Sequence, residues 1–202
     1  DRFYTISHQN ANYIVQNYTD NWGGVLKFSN RKEQQSSNES IYLACGTHDT
    51  KSLNIIKFDP QMTSHQLCCH LEKYHDHFIH RLVWSNDNQH IYSTSSDSTV
   101  CKVNVNKQQL SSVVNCRNYG AAIGICVPPE SESPLAYFCT KSAILLWDSR
   151  TSGQNSLLTK IHHVQNLQTA SDGHPVAGDY IDCCMKDEQI LVTCNRHGVI
   201  NW

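Results

Sequence analysis

The stretch His75–Val105, HDHFIHRLVWSNDNQHIYSTSSDSTVCKVNV, holds three short apolar runs, each cut off by a polar turn. Phe78 to Trp84 alternates apolar and polar side chains, Ser85-Asn86-Asp87-Asn88 turns the chain, Ile91 to Ser95 extends, Ser96-Asp97-Ser98 turns it again, and Val100 to Val105 extends. Leu110 to Val114 follows as a fourth run. Period-two alternation, interrupted by tight turns of Ser, Asn and Asp, predicts four short antiparallel strands joined as hairpins.

The same order recurs on both sides. Ile41 to Thr47 and Leu53 to Phe58 flank a polar turn, with Gln66 to Leu71 as a third strand. Ala122 to Val127, Leu135 to Cys139 and Ile144 to Asp148 form the next unit, with Leu157 to Ile161 as its outer strand. Asp179 to Met185, Ile190 to Cys194 and Val199 to Trp202 form the last. Aligned on Phe58, Val105, Trp147 and Trp202, the units are spaced 47, 42 and 55 residues apart. A period of about 40 to 45 residues built from short strands is the signature of β-propeller blades. Toward the amino terminus, Ala11 to Tyr18 and Trp22 to Phe28 read as a hairpin, with Gly23 and Gly24 permitting a bend in its second arm. Ser29 to Ser40 contains no apolar side chain and reads as a surface loop.

No segment of ten residues shows a helical period. The chain is therefore expected to be all-β, a β-propeller fragment with units at residues 1–40, 41–74, 75–118 and 119–165 and an incomplete one at 166–202. That amounts to about four blades of an expected seven or so. The sequence starts at Asp1 without methionine and stops at Trp202 within a predicted strand, so it reads as an excerpt whose two open edges would associate in isolation.

Composition narrows the function. Sixteen basic and 18 acidic residues leave a net charge of −2, which provides no field to draw the chain onto nucleic acid or an anionic bilayer. No apolar stretch approaches the roughly 20 residues that a membrane helix requires. Ten cysteines would suit a disulfide framework, but most fall inside apolar strand runs, where cysteine acts as a small hydrophobe, and free thiols in a reducing compartment are expected. Cys68-Cys69 and Cys183-Cys184 are adjacent, so on a strand each pair diverges to opposite faces. Twelve histidines include His75, His77 and His80, yet no C-x-x-C accompanies them, and no metal site is expected. No phosphate loop, dinucleotide fingerprint or activated cysteine pattern is present, so neither catalytic residues nor a cofactor are expected.

Several of these segments resemble the WD-repeat family. His75 to Val105 carries a histidine before the first strand, a WSxD-type turn at Trp84 to Asp87 and an SxDxTV turn at Ser95 to Val100, while ILLWDSRTSG at Ile144 to Gly153 contains the Trp147-Asp148 pair that names the family. The resemblance implies a buried hydrogen-bond network drawn from His75 or His77, Asp97 and Thr94, with Val103 where the family places tryptophan.

Within that family the chain is most similar to the WD-repeat subunits of the methylosome, the partners of type II protein arginine methyltransferases. The similar segments are WGGVLKF at Trp22 to Phe28, LEKYHDHFIHRL at Leu71 to Leu82, NKQQLSSVV at Asn106 to Val114 and AILLWDSR at Ala143 to Arg150, in order over roughly the first 155 residues. Ser29 to Ser40 and Val164 to Gly178 depart from the pattern. This resemblance implies a noncatalytic scaffold in cytoplasm and nucleus that binds a protein arginine methyltransferase and presents histone tails or spliceosomal Sm proteins for arginine methylation. Trp22, with Gly23 and Gly24, would be the partner-binding segment, since a large aromatic anchors an interface with few rotors. Glu130 and Glu132, in PPESES at Pro128 to Ser133, would face arginine-rich substrates. The alternative is another WD-repeat adaptor, of a nuclear pore, trafficking or ubiquitin ligase complex.

Overall fold

The computed structural model describes residues 24–30, 40–48, 51–59, 61, 64–129, 133–140, 142–151, 156–161, 180–186, 190–195 and 200–201. They form an all-β structure of antiparallel sheets, with one 3-10 turn at Arg117–Tyr119. The first sheet contains β1 (Gly24–Phe28), β2 (Ile41–Thr47), β3 (Leu53–Phe58) and β4 (His65–Leu71) in that spatial order. The second contains β5 (Ile79–Trp84), β6 (His90–Ser95), β7 (Thr99–Asn104) and β8 (Gln109–Asn115). The third contains β9 (Ala122–Cys126), β10 (Leu135–Thr140), β11 (Ile144–Asp148) and β12 (Leu157–Ile161). The fourth has three described strands, β13 (Tyr180–Met185), β14 (Leu191–Asn195) and β15 (Ile200–Asn201).

Within each sheet every strand pairs with its sequence neighbour, most of them across short polar turns. Those turns are closed by their own side chains. Between β5 and β6, Ser85 Oγ accepts from the His90 amide at 2.9 Å, Asp87 Oδ1 accepts from the Gln89 amide at 2.9 Å, and Asn88 adopts φ 58. Asn tolerates that left-handed conformation because its short amide makes local hydrogen bonds.

The expected boundary at residues 40 and 41 is corrected. Gly24 to Phe28 pairs directly with Leu43 to Thr47, in the register Gly24↔Thr47 to Phe28↔Leu43, and the Ser29 amide continues the ladder to the Tyr42 carbonyl at 2.8 Å. Units expected as 1–40 and 41–74 therefore contribute to one sheet. A long polar connection does not separate two strands when closing the loop costs little entropy and the pairing restores five ladder positions. The first arm of the expected hairpin, Ala11 to Tyr18, and residues 31–39 of the polar stretch lie outside the described residues.

The middle strands are buried on both faces, and their alternate side chains enter two different cores. Ala44, Leu53 and Ile55 pack with Ile79, Leu82, Trp84, Ile91 and Val103 between the first and second sheets. Tyr92, Val100 and Val114 pack with Ala122, Ile125, Phe138, Leu145 and Trp147 between the second and third. Cys126, Cys139 and Ile144 meet Tyr180 and Cys183 between the third and fourth. On the far face of the first sheet, Leu43, Cys45, Ile56 and Phe58 form a fourth apolar group. Each fully buried Leu, Ile or Val contributes about 1.5–3 kcal/mol by leaving water.

The first strands pack in sequence, β1 on β5, β5 on β9 and β9 on β13. Polar ties accompany this contact. Trp84, 1% exposed, donates its indole N–H to the Lys27 carbonyl at 2.9 Å, and Asn30 exchanges hydrogen bonds with Asn88 at 2.7 and 2.8 Å. Asn86 Nδ2 donates to the Pro128 carbonyl at 2.8 Å, joining second sheet to third.

The closest approach is at Gly124. A Cβ there would lie 2.8 Å from both Asp182 Cα and Cys139 Sγ. Backbone cannot retreat from a methyl group as a flexible side chain can, so Gly124→Ala must force β9 and β13 apart. We expect it to lower stability by about 1–3 kcal/mol, as overpacking does. An unchanged urea midpoint would show that these strands tolerate greater separation.

Candidate functional site

The connection from first sheet to second brings His75 back over the inner end of the second sheet. The residue is 2% exposed, and its ring lies against the Tyr74 ring at 4.5 Å. Nδ1 lies 2.8 Å from Thr99 Oγ1 and 3.2 Å from Asp97 Oδ2, and Nε2 lies 2.8 Å from Ser93 Oγ. Thr99 Oγ1 gives its own proton to Asp97 Oδ1, so Nδ1 faces acceptors and carries a proton. Asp97 also accepts from the backbone N–H of Thr99 at 2.8 Å and of Asp76 at 2.7 Å. Burial pushes the Asp97 carboxyl up, but the hydrogen bonds from His75, Thr99 and Asp76 outweigh it and hold the group well below the usual carboxylate range.

His75 and Asp97 thus meet, whereas other members expected of this network do not. His77 is exposed and supplies only its backbone carbonyl, to Ser95 Oγ at 3.2 Å. Thr94 turns the other way and donates to the Ile123 carbonyl of the third sheet at 2.9 Å, so Ser93 takes the position expected for it. Parity decides this. His75 enters from the first-sheet side, where Ile91 packs, and on β6 residue 93 shares that face while residue 94 shares the face of Tyr92. Thr99, the threonine of the SxDxTV turn and the first residue of β7, was not among the members expected of the network.

Trp147 and Asp148 hold a different arrangement. Trp147 is fully buried and meets Tyr92 edge-on at 6.0 Å, but its indole N–H has no hydrogen-bond partner among the described residues. Asp148 turns to Arg150, which contacts it at 2.6, 3.0 and 3.2 Å through its guanidinium, and this pairing lowers the carboxyl below its ordinary value. The third sheet closes its equivalent turn with Thr140, whose hydroxyl accepts from the amides of Ser142 at 3.2 Å and Ala143 at 3.1 Å. Gly24 is exposed at the start of β1; Trp22, Gly23, Glu130 and Glu132 lie outside the described residues.

Two clefts flank this framework. One of about 520 Å³ lies beside the histidine network and is lined by Lys51, Ser52, His70, Glu72, Lys73 and Asp76 together with His75. The other, about 600 Å³, lies where the first strands converge, with Leu26, Arg81, Cys126, Asp182 and Cys183 among its walls. Arg81 and Asp182 form an ion pair across it at 2.8 Å, each about half exposed at 49% and 41%. Such a wet pair contributes only about 0–1 kcal/mol, so it shapes the cleft rather than holding it together.

All ten cysteines are free thiols. Cys101 lies 3.8 Å from His75 Nδ1, which superficially suggests a nucleophile and its base. Burial pushes the Cys101 thiol up to about 12, and its sulfur lines neither cleft, so it serves as a core atom. Among the described residues no group of three or more His, Cys, Asp or Glu side chains is placed to hold a metal ion, and no helix is long and apolar enough to cross a membrane.

No family model and no curated protein matches the chain. Among solved structures it is similar to the crystal structure of the computationally designed Ika4 protein, with 18% identity, 88% of each chain covered and a TM-score of 0.57. At that identity the likeness concerns the fold alone.

The network makes a pH-dependent prediction. Asp97 stays ionised in the folded chain below the pH at which the unfolded chain takes up a proton. Its contribution is therefore complete above about pH 4 and drains away as pH falls toward the lower, folded value. Asp97→Asn should cost roughly 2–4 kcal/mol near neutral pH, because it removes the charge to which a buried ring and two amides are bonded. Urea titrations of both proteins should show the gap narrowing as pH falls below 4 or so; a gap constant with pH would refute the assignment.

Proposed function

We propose that the chain is part of a WD-repeat β-propeller that works as a noncatalytic binding subunit, akin to methylosome protein 50, the WD-repeat partner of the type II protein arginine methyltransferase. The observation that carries the propeller reading is the repeated sheet with its first strands packed in sequence, together with the His75–Ser93–Asp97–Thr99 network in the family's loop-and-turn arrangement. On this reading the four sheets are blades of a ring of about seven.

The partner reading rests on the sequence resemblance at Trp22 to Phe28. What supports it locally is that Gly24 and Leu26, within the similar segment, are exposed on β1. Trp22 would anchor the methyltransferase, and histone tails or Sm proteins would be presented to it near Glu130 and Glu132. The chemistry would reside in the partner, and the complex would work in cytoplasm and nucleus.

Co-purification with a type II protein arginine methyltransferase tests the reading. Trp22→Ala should weaken capture by roughly tenfold or more, as loss of an aromatic hot spot does, while leaving the melting temperature unchanged. Undiminished capture would remove Trp22 from the interface, and a stoichiometric partner from a pore, trafficking or ubiquitin ligase complex would replace this reading with the adaptor one. Glu130→Lys with Glu132→Lys should weaken binding of an arginine-rich histone tail peptide; equal affinity would place the substrate elsewhere.

A further inference from the structure

Where the third and fourth sheets meet, three thiols come together. Cys126 on β9 and Cys183 on β13 share a hydrogen bond with their sulfurs 3.7 Å apart, and the Cys183 sulfur also reaches the Tyr137 carbonyl at 3.7 Å. Cys139 on β10 belongs to the same apolar cluster. The absence of a side chain at Gly124 is what lets β13 come this near, since a Cβ there would already touch Asp182 Cα. Cys126 and Cys183 are 7% and 5% exposed, yet both line the cleft of about 600 Å³ between the first strands, so a small molecule has a path to their sulfurs. Cys139 is fully buried and does not line it.

We propose that Cys126 and Cys183 form an oxidisable dithiol that a hydroperoxide entering this cleft converts to a disulfide, covalently joining the third sheet to the fourth. A disulfide requires the sulfurs to close to about 2.05 Å, which asks for a further approach of roughly 1.6 Å through rotation of the two side chains.

The order of events follows from the surroundings. Hydrogen bonding to Cys126 and Cys139, then burial, hold the Cys183 thiol well above its ordinary range, and the contact with Cys183 pulls the Cys139 thiol down; Cys139 is fully buried and off the cleft, which leaves Cys126 to meet the oxidant first. Cys126 sulfur, as thiolate, attacks the peroxide oxygen; the O–O bond breaks and the leaving hydroxide takes up a proton to depart as water. Cys126 is then a sulfenic acid. Cys183 loses its proton and attacks the Cys126 sulfur, the S–O bond breaks, and a second water leaves as the S–S bond forms. Two thiols have been oxidised by two electrons and one hydrogen peroxide has been reduced to two waters.

The test uses the wild-type protein. Folded protein is treated with an equivalent of hydrogen peroxide, its remaining thiols are alkylated in denaturant, and digested peptides are mapped by mass spectrometry with and without dithiothreitol. The expected result is a single crosslink between the peptides carrying Cys126 and Cys183, reversed by dithiothreitol and accompanied by a higher urea midpoint of the oxidised protein. A Cys184→Ser variant, altered at the exposed neighbour, should crosslink to the same extent as wild type. A crosslink through Cys139, or oxidation confined to Cys184 while Cys126 and Cys183 remain alkylatable, would overturn the proposal.

Discussion

Burial of both faces of the middle strands is the constraint on which the rest of this structure depends. In β6 the side chains of Ile91 and Tyr92 point to opposite faces, into the cores shared with the first and the third sheet, and both are buried. A single sheet leaves one face to water, so strands of this kind are stable only when another sheet covers each side. Stacking sheets in sequence is the shortest way to meet that demand, because the chain leaving the outer strand of one sheet needs only to cross back to start the next. Adjacency of β1, β5, β9 and β13, and hence the cleft they enclose, follows from it.

Polar contacts add direction to this packing. The Trp84 indole, the Asn30–Asn88 exchange and the Asn86 amide tie neighbouring sheets at one end, where backbone carbonyls would otherwise be left without donors. At the other end the turn between second and third strands must be closed, and the sheets solve this differently. The second uses a histidine from the preceding connection together with Asp97. The first and third use a strand-end threonine, Thr47 accepting from the Ser52 amide at 2.8 Å and Thr140 doing the same for Ser142 and Ala143.

Much of this was legible from residues alone where local chemistry repeats. Period-two alternation and Ser/Asn/Asp turns located the strands of the second sheet, and the WD-repeat resemblance pointed to Asp97 with either His75 or His77 as buried partners. What escaped were relations that depend on which face a residue occupies. The resemblance suggested Thr94 where the structure uses Ser93, and only the side from which His75 arrives distinguishes the two. The 40/41 boundary misled because polarity marks a loop but says nothing about which strands the loop joins. The three thiols between third and fourth sheets lie 13 and 44 residues apart in sequence, and nothing in their spacing brings them together.

That a turn can be closed either by a histidine-aspartate pair or by one threonine bears on how such a chain changes over time. Each sheet meets the same geometric demand with an interchangeable set of donors, so a lineage can exchange one solution for another through intermediates that still fold. The signature residues are then free to drift while the backbone stays put. In a fold of this kind, ancestry fades from the sequence sooner than from the shape.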